Sequence, residues 1–399
     1  MEILMLANKM PYPPKDGGSI ATLSMAKSFA ALGHKVTMLA MNTSKHYCRL
    51  EDIPGEITSS IEFHSIDVNT DISFGAALHN FLFRSIPYNA ARFITGDYDS
   101  RLASLLKSRR FDVIQLEGLY LGPYIHTIRK HSRALVSMRA HNIEHEIWQR
   151  TAALSSGIKN FYLANLAKRI HRFETSMLNN YDVLVPITGR DATGFLKLGC
   201  KIPLHVAPTG INSSDYQPDF KNFDFPSLFH LGALDWPPNQ EGLKWFFTRV
   251  WPKIIKEYPD LKFYLAGRNA PAYFSKISEP NVEFLGEVDD AHDFIRSKAV
   301  MVVPLLSGSG LRIKIIEGMA LGKAIITTSI GKEGIESTHM KNMMIADDPI
   351  GFTQAVKHLL SGKEKVIEMG RHALYFVNQY YDNIKITESL ADFYRKHLN

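Results

Sequence analysis

This chain has few cysteines, no long apolar run and no internal repeat, and each lack excludes a class of protein. Its 399 residues hold two cysteines, Cys48 and Cys200, too few for a disulfide framework or a cysteine metal cluster, which predicts a reducing compartment. No run approaches the ~20 apolar residues that cross a bilayer. The opening MEILMLANKMPYPP is apolar too briefly for a signal peptide and has no basic leader. We expect a cytoplasmic protein that touches, at most, the inner face of a membrane.

The sequence also lacks a dense basic stripe with interleaved aromatic residues, so we expect no nucleic-acid partner. The net charge is +6 and is unevenly divided. Residues 1–205 hold 24 Lys and Arg against 17 Asp and Glu, which gives +7, whereas residues 206–399 hold 22 against 23, which gives −1. A basic first half fits either an anionic ligand or surface on that side or a solubilising excess of surface charge.

Short apolar strands alternate with helical stretches along the whole chain, a pattern typical of α/β proteins with parallel sheets. A polar stretch near residues 203–225 separates two such series, so we expect two doubly wound domains. Sheets of this kind bind ligands beyond the carboxyl ends of their strands, and an interdomain cleft is the expected site. An amphipathic helix ends the chain. The predicted strands are residues 2–7, 35–40, 111–118, 134–140, 181–188, 228–234, 262–267, 282–288, 299–304 and 324–328.

The segment PLLSGSGLRIKIIEGMALGKAIITT, residues 304–328, carries the most specific signal. Gly308 and Gly310 follow a predicted strand and allow a ligand to approach the backbone closely. A helix starting just after them offers unpaired N–H groups and a positive dipole end, which suit a phosphate. Arg312 and Lys314 in its first turn are electrostatically unfavourable there unless an anion joins them. The segment therefore predicts a phosphate site.

Glu317 adds a carboxylate to the same helix. It lies three residues past Lys314, hence on nearly the same face. A carboxylate there could accept two hydrogen bonds from a vicinal diol such as a ribose. The alternative is a structural ion pair between Lys314 and Glu317 on a surface helix.

Residues 11–19, PYPPKDGGS, form the matching loop of the first half. The loop follows the first strand and ends in Gly17 and Gly18 at a helix N-terminus, which again builds an anion cradle. It has neither the G-x-G-x-x-G nor the G-x-x-x-x-G-K-[ST] order, which argues against a dinucleotide fold and a P-loop. For the glycine pair alone, an ordinary turn is the alternative.

Polar residues crowd the stretch MRAHNIEHEIWQR, residues 138–150, where a strand gives way to a helix. His141 and His145 are one helical turn apart, as zinc ligands can be, but the order is not H-E-x-x-H and no third ligand is evident. We interpret His141, at the strand end, as a ligand contact. A structural histidine that caps the helix is the alternative.

Polar residues at other predicted strand ends are weaker candidates. Glu117 and Arg190 in the first half, and Asp235 and Asn239 in the second, each fit either a ligand contact or ordinary loop chemistry. No D-x-D pair stands at a strand end. We therefore expect no metal, and basic residues must bind any phosphate.

In order along the chain, these segments resemble glycosyltransferases of the GT-B fold, most of all the large retaining family 4. The resemblance covers essentially the whole chain, and its most specific piece is the glycine, lysine and glutamate block of residues 304–328. It implies two Rossmann-like domains: an acceptor domain of residues 1–205, joined by a returning helix over 380–399, and a nucleotide-sugar donor domain of residues 206–379. Further matching stretches are LGHKV (32–36), H-N-x-E (141–144), VAPTGIN (206–212), LGALDWPPN (231–239) and FLGEVDD (284–290).

The resemblance assigns a role to each motif. His141 would contact the transferred sugar, Arg312 and Lys314 would neutralise the donor's diphosphate, and Glu317 would hold the ribose hydroxyls; these four form the catalytic set. The implied donor-binding residues are Gly17, Gly18, Gly308, Ser309, Gly310, Leu311, Asp235, Asn239 and Val288. The candidate contacts to the acceptor or the sugar are Glu117, Glu144 and Arg190.

Two positions depart from the family pattern. The first acid of the family's E-x(7)-E pair is replaced by Ser309, and the Arg and Lys that many members carry after the first strand of the second domain are replaced by LDWPPNQ. More of the phosphate binding then falls on Arg312 and Lys314. A subgroup with a G-S-G-x-R-x-K-x-x-E block shows the same exchange, so we interpret it as variation.

The resemblance implies a metal-independent hexosyltransferase that retains configuration and moves a sugar from a nucleotide sugar to a glycan or lipid-linked acceptor in surface polysaccharide biosynthesis. A nucleotide-sugar epimerase of the same fold and a two-domain sugar-binding protein without chemistry are the alternatives. The segment 74–110 mixes phenylalanines with arginines. It either touches a membrane edge that carries a lipid-linked sugar or forms a core helix with a basic outer face.

Overall fold

A computed structural model describes residues 1–71, 73–153, 155–308 and 310–398. The chain divides into two compact units. Unit 1 comprises Met1–Thr209 with Asn383–Asn399, and unit 2 comprises Gly210–Asp382. The division after Thr209 lies four residues beyond the boundary that the sequence predicts, and the chain rejoins unit 1 at Asn383 rather than at residue 380.

Unit 1 is built on a parallel six-stranded sheet of order β3-β2-β1-β4-β5-β6. Its strands are β1 (Glu2–Ala7), β2 (Lys35–Asn42), β3 (Ile61–Asp67), β4 (Val113–Glu117), β5 (Leu135–Ala140) and β6 (Val183–Pro186). Its helices, in chain order, are α1 (Gly17–Ala31), α2 (Gly55–Thr58), α3 (Phe74–Phe83), α4 (Tyr88–Ala91), α5 (Gly96–Ser108), α6 (Ile125–His131), α7 (Glu144–Ala153), α8 (Gly157–Met177) and α9 (Gly189–Lys197). Along β1, Leu4 and Leu6 pack into one core, and Ile3 and Met5 pack into another on the opposite face. Both faces are therefore covered, as the uninterrupted apolar strands require.

Unit 2 repeats the design with a parallel sheet of order β12-β11-β10-β7-β8-β9. Its strands are β7 (Asp224–Leu231), β8 (Lys262–Ala266), β9 (Val282–Gly286), β10 (Lys298–Val303), β11 (Ala324–Thr327) and β12 (Met344–Ile345). Its helices are α10 (Pro237–Trp245), α11 (Trp251–Glu257), α12 (Ala291–Arg296), α13 (Ile313–Ala320), α14 (Pro349–Leu360) and α15 (Lys363–Tyr380). Val300 and Val302 of β10 face one core, and Met301 and Val303 face the other. The predicted α/β fold with two doubly wound sheets is confirmed.

The sequence-based element assignment differs from the structure in two respects. The edge strands β3 and β12 were not predicted. The single helix predicted from Asn239 to Tyr258 is divided by a π-helical segment, Phe246–Val250. Pro252, in the first turn of α11, supplies a reason, because proline has no N–H to continue the regular ladder of hydrogen bonds.

The last helix, α16 (Asn383–His397), belongs to unit 1 and packs against α1. Leu390 and Tyr394 on its inner face are fully buried. The predicted amphipathic helix at the end of the chain is therefore present. Within the described part of the chain, no helix combines the length and the apolarity needed to cross a membrane.

Candidate active site

Arg312 lies at the N-terminus of α13 in unit 2, enclosed by a glycine loop and an indole. Gly308 and Gly310 have φ values of +112° and +84°, a region that glycine adopts without strain. The Arg312 guanidinium is buried, donates to the Gly310 carbonyl and lies 5.6 Å from the centre of the Trp236 ring. A Cβ atom at Gly308 would lie 3.0 Å from Arg312 Nη2 and 3.3 Å from the indole. A side chain at position 308 would crowd the cation and the indole, and the positive φ also favours glycine there.

Lys314 is held in place by two neutral groups. Its Nζ donates to Asn239 Oδ1 at 2.8 Å and approaches His230 Nε2 at 3.4 Å. The Nδ1–H of His230 donates to the Val302 carbonyl at 2.8 Å, which leaves Nε2 as an acceptor for Lys314. Burial, together with the neighbouring Arg312, lowers the pKa of Lys314 to about 7. The predicted residues Lys314 and Asn239 therefore meet.

Glu317 is not paired with Lys314. Its Oε1 accepts a hydrogen bond from the Tyr216 hydroxyl at 3.1 Å, and the Tyr216 ring lies 4.8 Å from that of His292. Burial, and then the charge of Glu317, raise the pKa of Tyr216. The alternative of a structural Lys314–Glu317 ion pair is therefore wrong, since a tyrosine from the start of unit 2 orients the carboxylate.

The other predicted donor contacts of unit 2 are more dispersed. Asp235 is exposed and accepts from Asn269 Nδ2 at 3.2 Å. Val288 and Leu311 pack as partly buried side chains against the core of unit 2 that contains Met301. Ser309 lies outside the described residues. Leu311 directly precedes Arg312 in the chain.

In unit 1, His141 and Glu117 meet at the carboxyl ends of neighbouring strands. β4 pairs with β5 so that Glu117 stands opposite Arg139, two residues before His141. His141 Nε2 lies 2.8 Å from Glu117 Oε2, and Arg139 Nη1 lies 3.4 Å from the same oxygen. Burial opposes the charge of Glu117, but Arg139 and His141 outweigh it and lower the pKa of Glu117 to about 2. Glu117 is therefore a buried carboxylate anion.

Arg139 was missed by the sequence reasoning, although it is among the largest fully buried side chains. It also donates to the Ala21 carbonyl at 3.1 Å, which ties the sheet to α1. A lone arginine inside the apolar strand LVSMRA was the available signal, because a buried charge needs a partner.

The predicted anion cradle at Gly17 and Gly18 already holds a carboxylate of the chain itself. Asp16 caps α1 and accepts from the Ser19 N–H at 2.8 Å, from Lys9 Nζ at 2.7 Å and from His46 Nε2 at 2.9 Å. Burial opposes its charge, but these hydrogen bonds outweigh it and hold the pKa of Asp16 below its usual range. A Cβ atom added at Gly18 would lie 3.0 Å from Lys9 Nζ. A Cβ atom added at Gly17 would have no neighbouring atom within 4 Å.

Two more predicted contacts of unit 1 have partners within it. Glu144 Oε2 accepts from the Tyr120 hydroxyl at 2.7 Å, and burial raises the pKa of Glu144 to about 7. Arg190 forms ion pairs with Glu146 and Asp191. A ligand would have to displace or share these bonds.

The zinc alternative finds no support in the geometry around His145. Its Nδ1 lies 2.6 Å from Glu174 Oε2. Across the described residues, no three His, Cys, Asp or Glu side chains come together as a metal ion would require.

Two family models match the chain and together cover most of it. The model described as Glycosyltransferase Family 4 matches residues 15–215, which is half of the chain. The model described as Glycosyl transferases group 1 matches residues 225–362.

Individual relatives match over nearly the full length. The chain is 23% identical over 416 residues to an uncharacterised 44.6 kDa protein in the cps region of Klebsiella pneumoniae, and the match covers 98% of each chain. Sucrose-phosphate synthase from Thermosynechococcus elongatus has a TM-score of 0.68 at 15% identity, with 99% of each chain covered. HepE from Anabaena in complex with UDP has a TM-score of 0.65 at 13% identity, with 99% of this chain and 100% of HepE covered. At such identities the solved structures show a shared fold.

Proposed function

Because the chain belongs to glycosyltransferase family 4 and has the GT-B fold, we propose that it is a retaining hexosyltransferase. It moves a sugar from a nucleoside-diphosphate sugar to a glycan or lipid-linked acceptor in surface polysaccharide biosynthesis. The cps-region relative supports the pathway, and the UDP complex of HepE supports the donor class. The observation that carries the proposal is the half-buried ammonium of Lys314 beside the buried guanidinium of Arg312.

The charges at the start of α13 favour an anion. Burial and repulsion by Arg312 both disfavour the charged form of Lys314, and the two side chains that its ammonium contacts, Asn239 and His230, are neutral. Both cations also lie near the positive end of the helix dipole, which adds to the cost. A diphosphate bound there would offset all three penalties, whereas an uncharged sugar would offset none. The arrangement therefore favours a nucleoside-diphosphate sugar over a free sugar.

The same charges suit the chemistry of the donor. When the bond between sugar C1 and the diphosphate oxygen breaks, the electron pair leaves with that oxygen and positive charge develops on the sugar ring. Arg312 and Lys314 would stabilise the departing diphosphate, since one fixed donor aimed at developing charge contributes on the order of 3 kcal/mol. For retention, the acceptor hydroxyl attacks from the face that the diphosphate leaves, and a phosphate oxygen takes its proton. The proposal involves no metal ion.

The remaining contacts of the donor follow the family roles. In the proposal, His141 contacts the transferred sugar and Glu317, oriented by Tyr216, accepts hydrogen bonds from the ribose hydroxyls. Gly17 leaves open space next to the backbone at the start of α1, and Lys9 Nζ lies next to Gly18, where a donor phosphate would share it with Asp16.

An exposed apolar surface on unit 1 supports a lipid-linked acceptor. Leu82 and Phe83 at the end of α3 are 59% and 70% exposed, and Phe161 on α8 is 68% exposed. The two helices are joined, because Arg169 of α8 donates to the Asn80 side chain of α3 at 3.0 Å. Basic residues flank the apolar side chains in sequence, at positions 84, 159, 168 and 172. Apolar groups within a basic surface fit an anionic membrane, so we propose peripheral contact there.

A donor and acceptor panel tests the function. The protein would be incubated with UDP-, GDP- and dTDP-hexoses and with either soluble oligosaccharides or an isoprenoid-diphosphate-linked sugar in anionic vesicles. We expect transfer from one donor class to the lipid-linked acceptor, retention of anomeric configuration by NMR, and sedimentation of the protein with the vesicles. Replacing Leu82 and Phe83 by serine should abolish sedimentation while leaving transfer to a soluble acceptor analogue unchanged.

Other outcomes of the panel would contradict the proposal. Isotope exchange at a sugar carbon without acceptor would identify an epimerase instead. Tight binding of a sugar without any dependence on nucleotide would identify a binding protein.

A further inference from the structure

A buried chain of hydrogen bonds runs from the C-terminal helix to His141. The Tyr394 hydroxyl of α16 donates to Gln115 Oε1 at 2.7 Å. Gln115 Nε2 donates to Glu117 Oε1, and His141 Nε2 lies 2.8 Å from Glu117 Oε2. Tyr394 and Gln115 are fully buried, and Glu117 is 4% exposed. The path thus joins positions 279 residues apart in the chain without passing through solvent.

The oxygens of Glu117 are occupied within unit 1. Oε1 accepts from Gln115, and Oε2 accepts from Thr22 Oγ1 at 3.1 Å, from Arg139 and from His141. A buried carboxylate with these partners has little capacity left for a substrate. The sequence-based assignment of Glu117 as a candidate sugar or acceptor contact therefore needs revision, because Glu117 reaches the ligand only through His141.

The direction of each hydrogen bond follows from the charge of Glu117. An ionised carboxylate only accepts, so the proton of a neutral His141 must be on Nε2, and Nδ1 keeps its lone pair. For the same reason, Gln115 must point its NH₂ group at Glu117 and its oxygen at α16. The Tyr394 hydroxyl, which also bonds Ser137 Oγ at 2.8 Å, donates to that oxygen and so fixes the orientation of the amide.

We propose that Tyr394, Gln115 and Glu117 are positioning residues that fix the ring orientation and tautomer of His141. The catalytic part of this inference rests on the proposed function, in which His141 contacts the transferred sugar. The tautomer part does not, because it concerns the protein without ligand. The C-terminal helix thus packs against unit 1 through its apolar side chains and also helps to orient His141 through the Tyr394 hydroxyl.

Tyr394→Phe isolates that hydroxyl. The ring, which stacks on Phe29 with centroids 6.3 Å apart, stays, and the hydroxyl is lost together with its bonds to Gln115 and Ser137. The Gln115 amide loses the donor to its Oε1 and is held less firmly, so the Glu117 carboxylate that orients His141 is less well fixed. We expect kcat to fall about tenfold, the effect of losing one hydrogen bond of about 1.4 kcal/mol, with the KM for the donor unchanged.

Tyr98→Phe is the matched control. Tyr98 is likewise fully buried in unit 1, and its hydroxyl donates to the Leu39 carbonyl at 2.8 Å, outside the chain of bonds to His141. The Tyr98→Phe variant should lose about as much stability as Tyr394→Phe, without any effect on His141. A fall in kcat that appeared equally in both variants would contradict the proposal, since it would then reflect a general loss of packing.

Nitrogen NMR of ¹⁵N-histidine-labelled protein reports the tautomer of His141 without any substrate. The His141 signals are assigned from a His141→Gln variant, and the spectra are compared at a pH where the ring is neutral. The wild type should then show the Nε2–H tautomer alone, and Tyr394→Phe should show a mixture with the Nδ1–H form. Unchanged His141 signals in Tyr394→Phe would overturn the proposal. If no donor supported transfer but the tautomer still shifted, the proposed function would fail and the positioning of His141 would stand.

Discussion

Arg312→Ala is expected to lower the rate of sugar transfer by about 100- to 1000-fold, the loss seen when one fixed donor to a developing negative charge is removed. The guanidinium lies against Trp236 beside the glycine loop, so the group that would meet the leaving diphosphate is already in place before the donor binds. The measurement is kcat for transfer, or for slow hydrolysis of the donor, with the melting temperature determined in parallel.

Arg371→Ala is a suitable control for Arg312→Ala. Arg371 is also in unit 2, and its guanidinium lies 5.6 Å from the Phe220 ring, the same separation as in the Arg312–Trp236 pair. The Arg371→Ala variant should lose a comparable stacking of guanidinium on an aromatic ring but keep full transfer activity. A normal transfer rate in Arg312→Ala would remove the role that we assign to this side chain.

The affinity for a nucleoside diphosphate is expected to fall as the pH rises above 7. Burial and Arg312 lower the pKa of free Lys314 to about 7, and a bound diphosphate favours the protonated form, so binding takes up a proton above that pH. The dissociation constant of UDP should then rise by up to tenfold per pH unit between about pH 7.5 and about pH 9. Calorimetric titration with UDP across this pH range measures the dissociation constant. The phosphate groups of UDP are already ionised in this range, so they do not contribute to the change.

Lys314→Met should weaken UDP binding at about pH 7 by about 10- to 100-fold, as expected for a lost hydrogen bond to a charged group, and should abolish the pH dependence. Lys323→Met is the control, because burial lowers the pKa of Lys323 to about 8 but its Nζ bonds the Arg296 and Lys298 carbonyls. A pH dependence that survived in Lys314→Met would assign the titration to another group.

The same lowered pKa has a consequence for stability. In the unfolded chain the pKa of Lys314 has its ordinary value of 10.5, so the unfolded chain binds this proton more tightly than the folded chain does. Lys314 therefore destabilises the folded state near pH 7. This destabilisation decreases as the pH rises towards about 10. Lys314→Met should accordingly stabilise the free protein while weakening its binding of UDP.

The loop LDWPPNQ has a different part in this chain from the basic pair of many relatives. Trp236 stacks on Arg312, and Asn239 accepts from Lys314. The loop therefore holds the two cations of α13 in place instead of providing its own. That phosphate binding falls on Arg312 and Lys314 stays a prediction.

Local pattern was enough to predict most strands and the block around Arg312, Lys314 and Glu317, because glycines, charges and apolar periodicity lie close together in sequence. The groups that hold the site are distant from it. Tyr216 is 101 residues before Glu317, and His230 is 84 residues before Lys314. No spacing rule connects such pairs, since only the fold brings them together.

The missed strands have a similar physical explanation. β3 is an edge strand with mostly half-exposed residues, and β12 has two residues, so neither shows the continuous apolar run that identified the central strands. The prediction for Gly17 and Gly18 was incomplete because sequence gave no sign that Asp16 would gather Lys9 and His46 around its carboxylate.

The central claim is that a diphosphate is bound by Arg312 and Lys314 without a divalent ion. The most direct test is calorimetric titration of the protein with UDP and with uridine, each in the presence of EDTA. The account predicts that UDP binds at least ~100-fold more tightly than uridine, the worth of two charged hydrogen bonds, and that EDTA changes neither affinity. Equal affinities for UDP and uridine, or loss of UDP binding in EDTA, would contradict it.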